Sequence, residues 1–361
     1  MIPKIPEARL TAVADVEPAT VEAVSQKHEV PGFATHTELL DSGLVDAVVI
    51  ATPHYFHPPI AEDAFARGIH VLSEKPIGVT VSAADSMIAA AKRSGLKFGA
   101  MFQMRAEPYT RAAKQIVDSG VLGDLYRTSL VMAWYRPQAY YNSGGWRATW
   151  SGEGGGVLIN QAPHYLDLFT WLGGMPARLT GTTRTRLHDI EVEDEAFGTL
   201  EYANGAHGYL YASTTEIPNH NMLEICGDRG KIVLHGNSLK HFSIDTSLRE
   251  FTFDNREMWA SPKSAEVPVE LPPAHEFKDH SAITQNFARA ILYGEPLIAP
   301  GEEGLNAVEM INGLILSSKT GQSVSLPVDR AAYDHLIAEL QASSRSKSHT
   351  AEQRVTDPNF V

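Results

Sequence analysis

Residues 46–76, DAVVIATPHYFHPPIAEDAFARGIHVLSEKP, decide how the chain is read. Asp46 to Thr52 is a short, nearly continuous apolar run of the kind a parallel strand buried on both faces requires. Pro58 to Arg67, closed by Gly68, predicts a helix, and His70 to Ser73 predicts a second strand. Strand, helix and strand in that order form a βαβ unit and imply a parallel sheet. The same texture extends in both directions. Upstream, Arg9 to Asp15 reads as a strand, Glu17 to His28 as a helix with Pro18 at its start, and His36 to Ser42 as a short helix. Downstream come a helix over Ala83 to Ser94, ended by Gly95, and a strand over Phe98 to Phe102.

After about residue 106 the pattern changes. A helix over Tyr109 to Ser119 leads into a stretch rich in glycine and tryptophan, 134–156, and then a helix expected over Val157 to Leu172. From Ala177 to about Glu270, polar and apolar residues alternate between turn signals (ANGA, GDRG, HGNS), as antiparallel strands with one buried face do. Helices over Ser281 to Leu292 and Glu302 to Ser318 follow. The tail from Ser343 to Val361 is polar and reads as disordered. The expected fold class is α/β: a nucleotide-binding domain over 1–105, an α+β domain with a large, mostly antiparallel sheet over 106–330, and a C-terminal helix and tail over 331–361.

The composition excludes several partners. With 361 residues the chain is long enough for about two domains. It carries 43 acidic against 30 basic residues, a formal net charge of −13, which argues against nucleic acid as a partner. Its single cysteine, Cys226, can form neither an internal disulfide nor a cysteine-based zinc cluster, so a reducing cytoplasm is the natural compartment. No apolar run approaches the roughly 18 residues of a membrane-spanning helix, and the start MIPKIPEARL lacks a signal peptide's apolar segment.

One expected piece is missing at the front. Asp15, at a strand end, suits the carboxylate that binds the ribose hydroxyls of a dinucleotide, but no G-x-G-x-x-G stands about 20 residues ahead of it. MIPKIPEA reads as the tail of a first helix and its loop. The first strand, which is central in the usual order, and the glycine turn are therefore expected to be absent, with Met1 an internal methionine of a longer protein.

The sharpest short motif is Glu74-Lys75-Pro76, directly after the strand HVLS. A lysine at the C-terminal edge of a parallel strand stands where open α/β sheets bind ligands, and its ammonium can orient a hydroxyl or share in proton transfer. Alone, EKP is weak and also fits a solvated lysine before a turn proline. With DAVVIATPHYFH and GIHVLS before it and FGAMFQMR after it, the arrangement resembles the glucose-fructose oxidoreductase, inositol dehydrogenase and MocA family (Gfo/Idh/MocA), over essentially residues 7–330. GGWRATW followed by GEGGGVLINQAPH resembles, more narrowly, the members near levoglucosan dehydrogenase and anhydrofructose reductase.

Two further constellations carry chemistry. In GGGVLINQAPHYLD, residues 154–167, a helix from Val157 onward would place Asn160, His164 and Asp167 at i, i+4 and i+7, a polar stripe on an apolar helix. The three glycines would let a cofactor or substrate approach the backbone. Alone, His164 reads as a satisfied core histidine, and Asp167 fits a loop cap or a bridge as well as a site. Trp134-Tyr135-Arg136-Pro137 and Tyr140 to Arg147 crowd aromatic faces and arginines into a loop, suited to sugar C–H surfaces and nicotinamide, or else to a subunit interface. His54 and His57 lack a third ligand in a recognisable metal spacing, so no metal is expected.

The resemblance implies a hydride transfer between NAD(P) and a secondary alcohol of a sugar, anhydrosugar or polyol. It implies Lys75 and His164 as catalytic residues, with Asn160 where many relatives carry the aspartate of an acid/base dyad. An amide cannot accept the proton, so His164 is expected to act with weaker help. The resemblance places Asp15, Ala51, Thr52, Pro53, His57, Glu74, Lys75, Gln103, Trp146 and Arg147 at the cofactor. It places Arg105, Tyr141, Gln161, His164 and Asp167 at the substrate. Asp15, with no adjacent arginine, favours NAD over NADP. A homodimer or homotetramer is implied by the same resemblance. The alternatives are an NAD-dependent glycosidase working by transient oxidation, and a non-catalytic or truncated fragment of a dehydrogenase.

Overall fold

A computed structural model of the chain describes residues 2–345. The expected disorder of the tail falls, beyond Arg345, outside the described residues. The chain divides into two compact units, one of Met1–Pro108 with Pro273–Val308 and the other of Tyr109–Pro272 with the chain from Glu309 onward. The first unit runs to Pro108 and also takes 273–308, a stretch the sequence reading gave to the second domain. Local patterning cannot reveal this return, because a helix reads the same whichever core receives it.

In the first unit, β1 (Val13–Ala14) pairs in parallel with β2 (Gly32–Phe33). A second parallel sheet has the order β3 (Ala47–Ile50), β4 (His70–Ser73), β5 (Phe98–Ala100). In the doubly wound order the second and fourth strands flank the first. Among the described residues no ladder joins β1 to β3, and Ala47, Val48 and Val49 of β3 are half-buried while β5 is wholly buried. The helix Val81–Ser94 begins where Thr80 Oγ1 accepts the Ala83 N–H (3.1 Å) and ends at Gly95, whose φ of 67° lets the backbone turn left-handed. It buries Val81, Ala84, Met87, Ile88 and Ala91, the three-and-four spacing of one helix face. The returning helix, Asp279–Tyr293, packs Ala282, Ile283 and Phe287 against Leu72, Met101 and Ala106. Gly99 makes room: a Cβ there would stand 3.2 Å from the Phe287 ring.

The second unit is built on one nine-stranded sheet. Its strands are β6 (Leu125–Tyr135), β7 (Arg178–Arg184), β8 (Glu195–Glu201), β9 (His207–Ser213), β10 (Thr215–Gly227), β11 (Gly230–His235), β12 (Ser238–Ile244), β13 (Ser264–Val267) and β14 (Val324–Ser325). They run in the order β13-β12-β11-β10-β6-β9-β8-β7-β14. The pairs are antiparallel except β6 with β9, which bears out the mostly antiparallel reading. One row across the buried face explains how helices settle on it. Gly181 faces Gly198, then Leu210, Leu130, Leu223 and Leu234 in register. The leucines fill one part of the layer, and the glycines leave space where Leu314 of the helix Gly304–Thr320 presses on the sheet.

This packing predicts a graded cost. A Cβ at Gly181 would lie 2.7 Å from the Leu314 carbonyl oxygen, which only a backbone shift relieves, whereas at Gly198 it meets the end of the Leu314 side chain at 2.5 Å. Gly181→Ala is expected to lose about 1–3 kcal/mol in urea unfolding and Gly198→Ala less. Equal stability of wild type and Gly181→Ala would contradict the packing.

Candidate active site

The candidate residues of the first unit stand after the C-terminal ends of its parallel strands, where backbone groups leave the sheet and ligands bind. Asp15 follows β1, exposed to solvent, and its Oδ1 accepts the Glu17 N–H (2.9 Å), which fixes the turn. Ala51 and Thr52, also exposed, and half-buried Pro53 follow β3. Half-buried Glu74 and Lys75 follow β4, and half-buried Gln103 follows β5. His280, from the returning segment, brings its Nε2 to 3.6 Å from Glu74.

Two expected ligand contacts are used inside the protein instead. His57 is wholly buried. Its Nδ1 lies 2.8 Å from the Pro76 carbonyl and its Nε2 2.7 Å from the Thr52 carbonyl. The ring thus sits between the Thr52 turn and the Lys75-Pro76 turn with both nitrogens on backbone carbonyls, and burial holds its pKa below the usual imidazole range. Arg105, expected at the substrate, is 2% exposed and donates to Glu303 within the same unit. A buried guanidinium must be paired, and this pairing closes it off.

In the second unit the expected continuous helix is two helices, Val157–Asn160 and Pro163–Gly173. Pro163 has no N–H to give the carbonyl four residues back, and its ring would crowd that carbonyl. The Ala162 N–H turns to the Val157 carbonyl (2.8 Å), and a new helix starts at the proline. Asn160 and His164 therefore belong to successive helices and not to one stripe. His164 is half-buried and Asp167 wholly buried.

The triple glycine is crowded by the protein itself. A Cβ at Gly156 would fall 1.8 Å from the Glu193 carbonyl oxygen. Glu193 Oε1 accepts the N–H groups of Gly156 (2.9 Å) and Leu158 (3.0 Å), filling the helix's N-terminal orphans. The close approach read from these glycines is thus that of a neighbouring loop.

Sequence reasoning missed Glu153, which organises the rest. It is 1% exposed, and its carboxylate accepts the Asn160 side-chain amide and the Ala148 backbone N–H. Ala148 has a φ of 55°, so the chain is held in a left-handed turn directly after Trp146 and Arg147. Arg147 lies 3.7 Å from Glu153, with its guanidinium 4.5 Å over the Tyr140 ring and 4.6 Å over the Trp146 ring. With Nδ2 fixed on Glu153, the Asn160 Oδ1 accepts from Tyr140 Oη (3.3 Å). Tyr140 Oη accepts in turn from Arg147 (2.7 Å) and Gln161 Nε2 (3.2 Å). Burial raises the Tyr140 pKa, which keeps the phenol a donor.

Tyr140, and not the expected Tyr141, joins this network. Tyr141 is 1% exposed with its Oη 2.6 Å from Thr214 Oγ1, a core residue. Around Tyr140, buried polar atoms stand without a hydrogen-bond partner among the described residues: Arg147 Nε, Gln161 Oε1 and Trp134 Nε1. Native interiors satisfy such groups, so their concentration marks a place for a polar ligand.

Whether the residues suit a nicotinamide dinucleotide can be tested on these positions. The open Asp15 carboxylate fits a ribose diol, and the exposed Ala51–Thr52 turn and Gln103 offer polar groups at strand ends.

Comparison with known proteins agrees with the fold and with this division. A family profile described as "Oxidoreductase family, NAD-binding Rossmann fold" matches residues 3–102, and the "GFO/IDH/MocA C-terminal domain" profile matches residues 110–233. The D-glucoside 3-dehydrogenase of Escherichia coli is 26% identical over 345 residues, covering 89% of this chain and 91% of that one. The levoglucosan dehydrogenase of Pseudarthrobacter phenanthrenivorans is 28% identical over 265 residues, 64% of this chain and 66% of that one. The WlbA dehydrogenase of Bordetella pertussis, solved in complex with NADH and UDP-GlcNAcA, has a TM-score of 0.75 and 26% identity, covering 89% of this chain and 92% of that one. Among the described residues no helix is long and apolar enough to cross a membrane.

Burial pushes the Glu193 carboxyl up to about 7, the backbone N–H groups on Oε1 opposing only in part. A carboxyl whose pKa is raised on folding stabilises fully below its unfolded value near 4.5, and that contribution is lost as pH rises through the folded value. Glu193→Gln, which cannot ionise, is expected to match wild type near pH 4.5. By pH 8 it should exceed wild type by roughly 3 kcal/mol, at about 1.4 kcal/mol per pKa unit. Urea unfolding across that range checks this, and parallel pH profiles for the two proteins would refute it.

Proposed function

The chain belongs to the Gfo/Idh/MocA oxidoreductase family, whose first domain is an NAD-binding Rossmann fold, and on that premise we propose that it transfers a hydride between NAD and a secondary alcohol of a sugar, anhydrosugar or polyol. The observation that carries this reading is the hydroxyl-sized polar network around Tyr140, with unpartnered buried donors and an acceptor beside aromatic faces. Sugars are bound by this combination of stacking faces and hydrogen-bond groups of both signs.

Bound NAD supplies the hydride acceptor. The residues supply the rest. Lys75 is assigned to hold the alcohol oxygen and stabilise the charge that develops on it, and His164 to remove or return its proton. Glu153 sets the Asn160 amide and the Arg147 turn, so a carboxylate takes part at the position where the sequence offers only an amide. Asp15 is assigned to the adenosine ribose, where its charge opposes the 2′-phosphate of NADP. A homodimer or homotetramer and a cytoplasmic location belong to the same reading, the first resting on the family and the second on the single cysteine.

NADH formation from a panel of sugars and polyols tests the activity. Lys75→Ala and His164→Ala are each expected to lower kcat by about 10² or more, and activity within tenfold of wild type in either would overturn that residue's role. Asp15→Ser should move the NAD to NADP preference toward NADP by about tenfold, on the scale of one removed charge pair. An unchanged ratio would take Asp15 away from the ribose.

A further inference from the structure

Two guanidinium groups flank one tyrosine ring in the second unit. Arg136 lies 5.4 Å and Arg147 4.5 Å from the Tyr140 centroid. One buried carboxylate, Glu153, stands 3.7 Å from Arg147 and already accepts from Asn160 and Ala148. Arg136 has no acidic partner among the described residues. Its Nη1 donates to the Tyr135 carbonyl (3.1 Å), and the group stacks 5.1 Å from the Trp134 centroid. The nearby Asp194 carboxylate is engaged by the His188 ring and by the N–H groups of Arg186, Leu187 and His188.

The backbone at this arginine is also held. Its N–H donates to the Thr214 carbonyl (3.0 Å), and its own carbonyl lies 2.6 Å from His188 Nε2. A half-buried cation stacked on aromatic rings, with spare donors and no acidic partner among the described residues, is placed to receive a negative group. Gln161 Oε1, 95% buried, and Trp134 Nε1 stand unpartnered beside the same ring system. A macromolecular polyanion does not suit a chain with a net charge of −13. A small ligand with hydroxyls and a single carboxylate suits all of these groups, since a guanidinium meets a carboxylate with two parallel hydrogen bonds.

We propose that Arg136 is a receptor for the carboxylate of an acidic sugar, so that the substrate class is a sugar acid and not a neutral sugar. This rests on the sugar-oxidoreductase reading, and the test separates the two. Binding of D-glucuronate, D-galacturonate and D-gluconate, each beside its uncharged counterpart, is measured calorimetrically with NAD present, and NADH formation is followed in parallel. At least one acid should bind tenfold or more tighter than its neutral partner. Arg136→Gln should erase that preference while leaving neutral-sugar affinity within about twofold, and Arg136→Lys should keep part of it. If Arg136→Gln does not fold, the wild-type preference itself decides: it should shrink as salt rises from low to high ionic strength, and its absence overturns the proposal. Equal binding of acids and neutral sugars, or a preference that survives Arg136→Gln, also overturns it. Arg136-dependent binding without any NADH formation would remove hydride transfer and leave the receptor standing. NADH formation from neutral sugars with no acid preference would do the reverse.

Discussion

The buried carboxylate of Glu153 is the interaction on which the polar half of the second unit depends. A charge removed from water is tolerated only where donors surround it, and two of those donors shape the site. One is the Ala148 N–H, the other the Asn160 side chain. Satisfying the first requires a left-handed turn at a residue that is not glycine, at a cost of roughly 1–2 kcal/mol. The strain sits directly after Trp146 and Arg147, so the energy of the buried charge fixes the direction in which the arginine leaves the chain. The second donor sets which end of the Asn160 amide faces Tyr140. An asparagine that looked like a loss of basicity is thus one link in a chain that ends in a carboxylate.

The first unit works by a different constraint, the geometry of parallel strand ends. Backbone groups left over at the end of each strand must be satisfied by turns, and His57 does this for two turns at once. The position of Lys75 is therefore tied to that of Thr52 through a wholly buried side chain. Arg105 and Glu303 do similar work within the same unit.

What the sequence made legible follows from how local each signal is. The strands AVVI and HVLS, the helix ended by Gly95 and the alternation from Ala177 onward are written in spacing and end residues, and the observed elements fall within a few residues of those readings. The break at Pro163 was also written locally, but the apolar run around it continued and concealed the change of helix. Other features had no local signal. Tyr140 and Tyr141 are adjacent and identical, and only the Thr214 hydroxyl, brought in from β10's approach, draws one of them into the core. The return of 273–308 depends on which core has room for Phe287, and that room is the missing side chain of Gly99. Glu153 had a faint mark, an acid between glycines in GEGGG, whose meaning appears only when Ala148 and Asn160 fold onto it.

Net charge and site charge also part company here, for a physical reason. A formal charge of −13 sets the field a large partner meets, and at physiological salt that field decays over about 8 Å. A long polyanion must place many charges inside that shell and is repelled. A small anion has only one charge to bring through it. Once it lies against the stacked faces of Trp134 and Tyr140, water no longer screens it from Arg136, and an attraction that is weak at the surface becomes several times stronger. Two guanidiniums against one carboxylate then outweigh the distant acidic residues. An acidic net charge and a local pair of arginines are compatible, because each acts on a ligand of a different size.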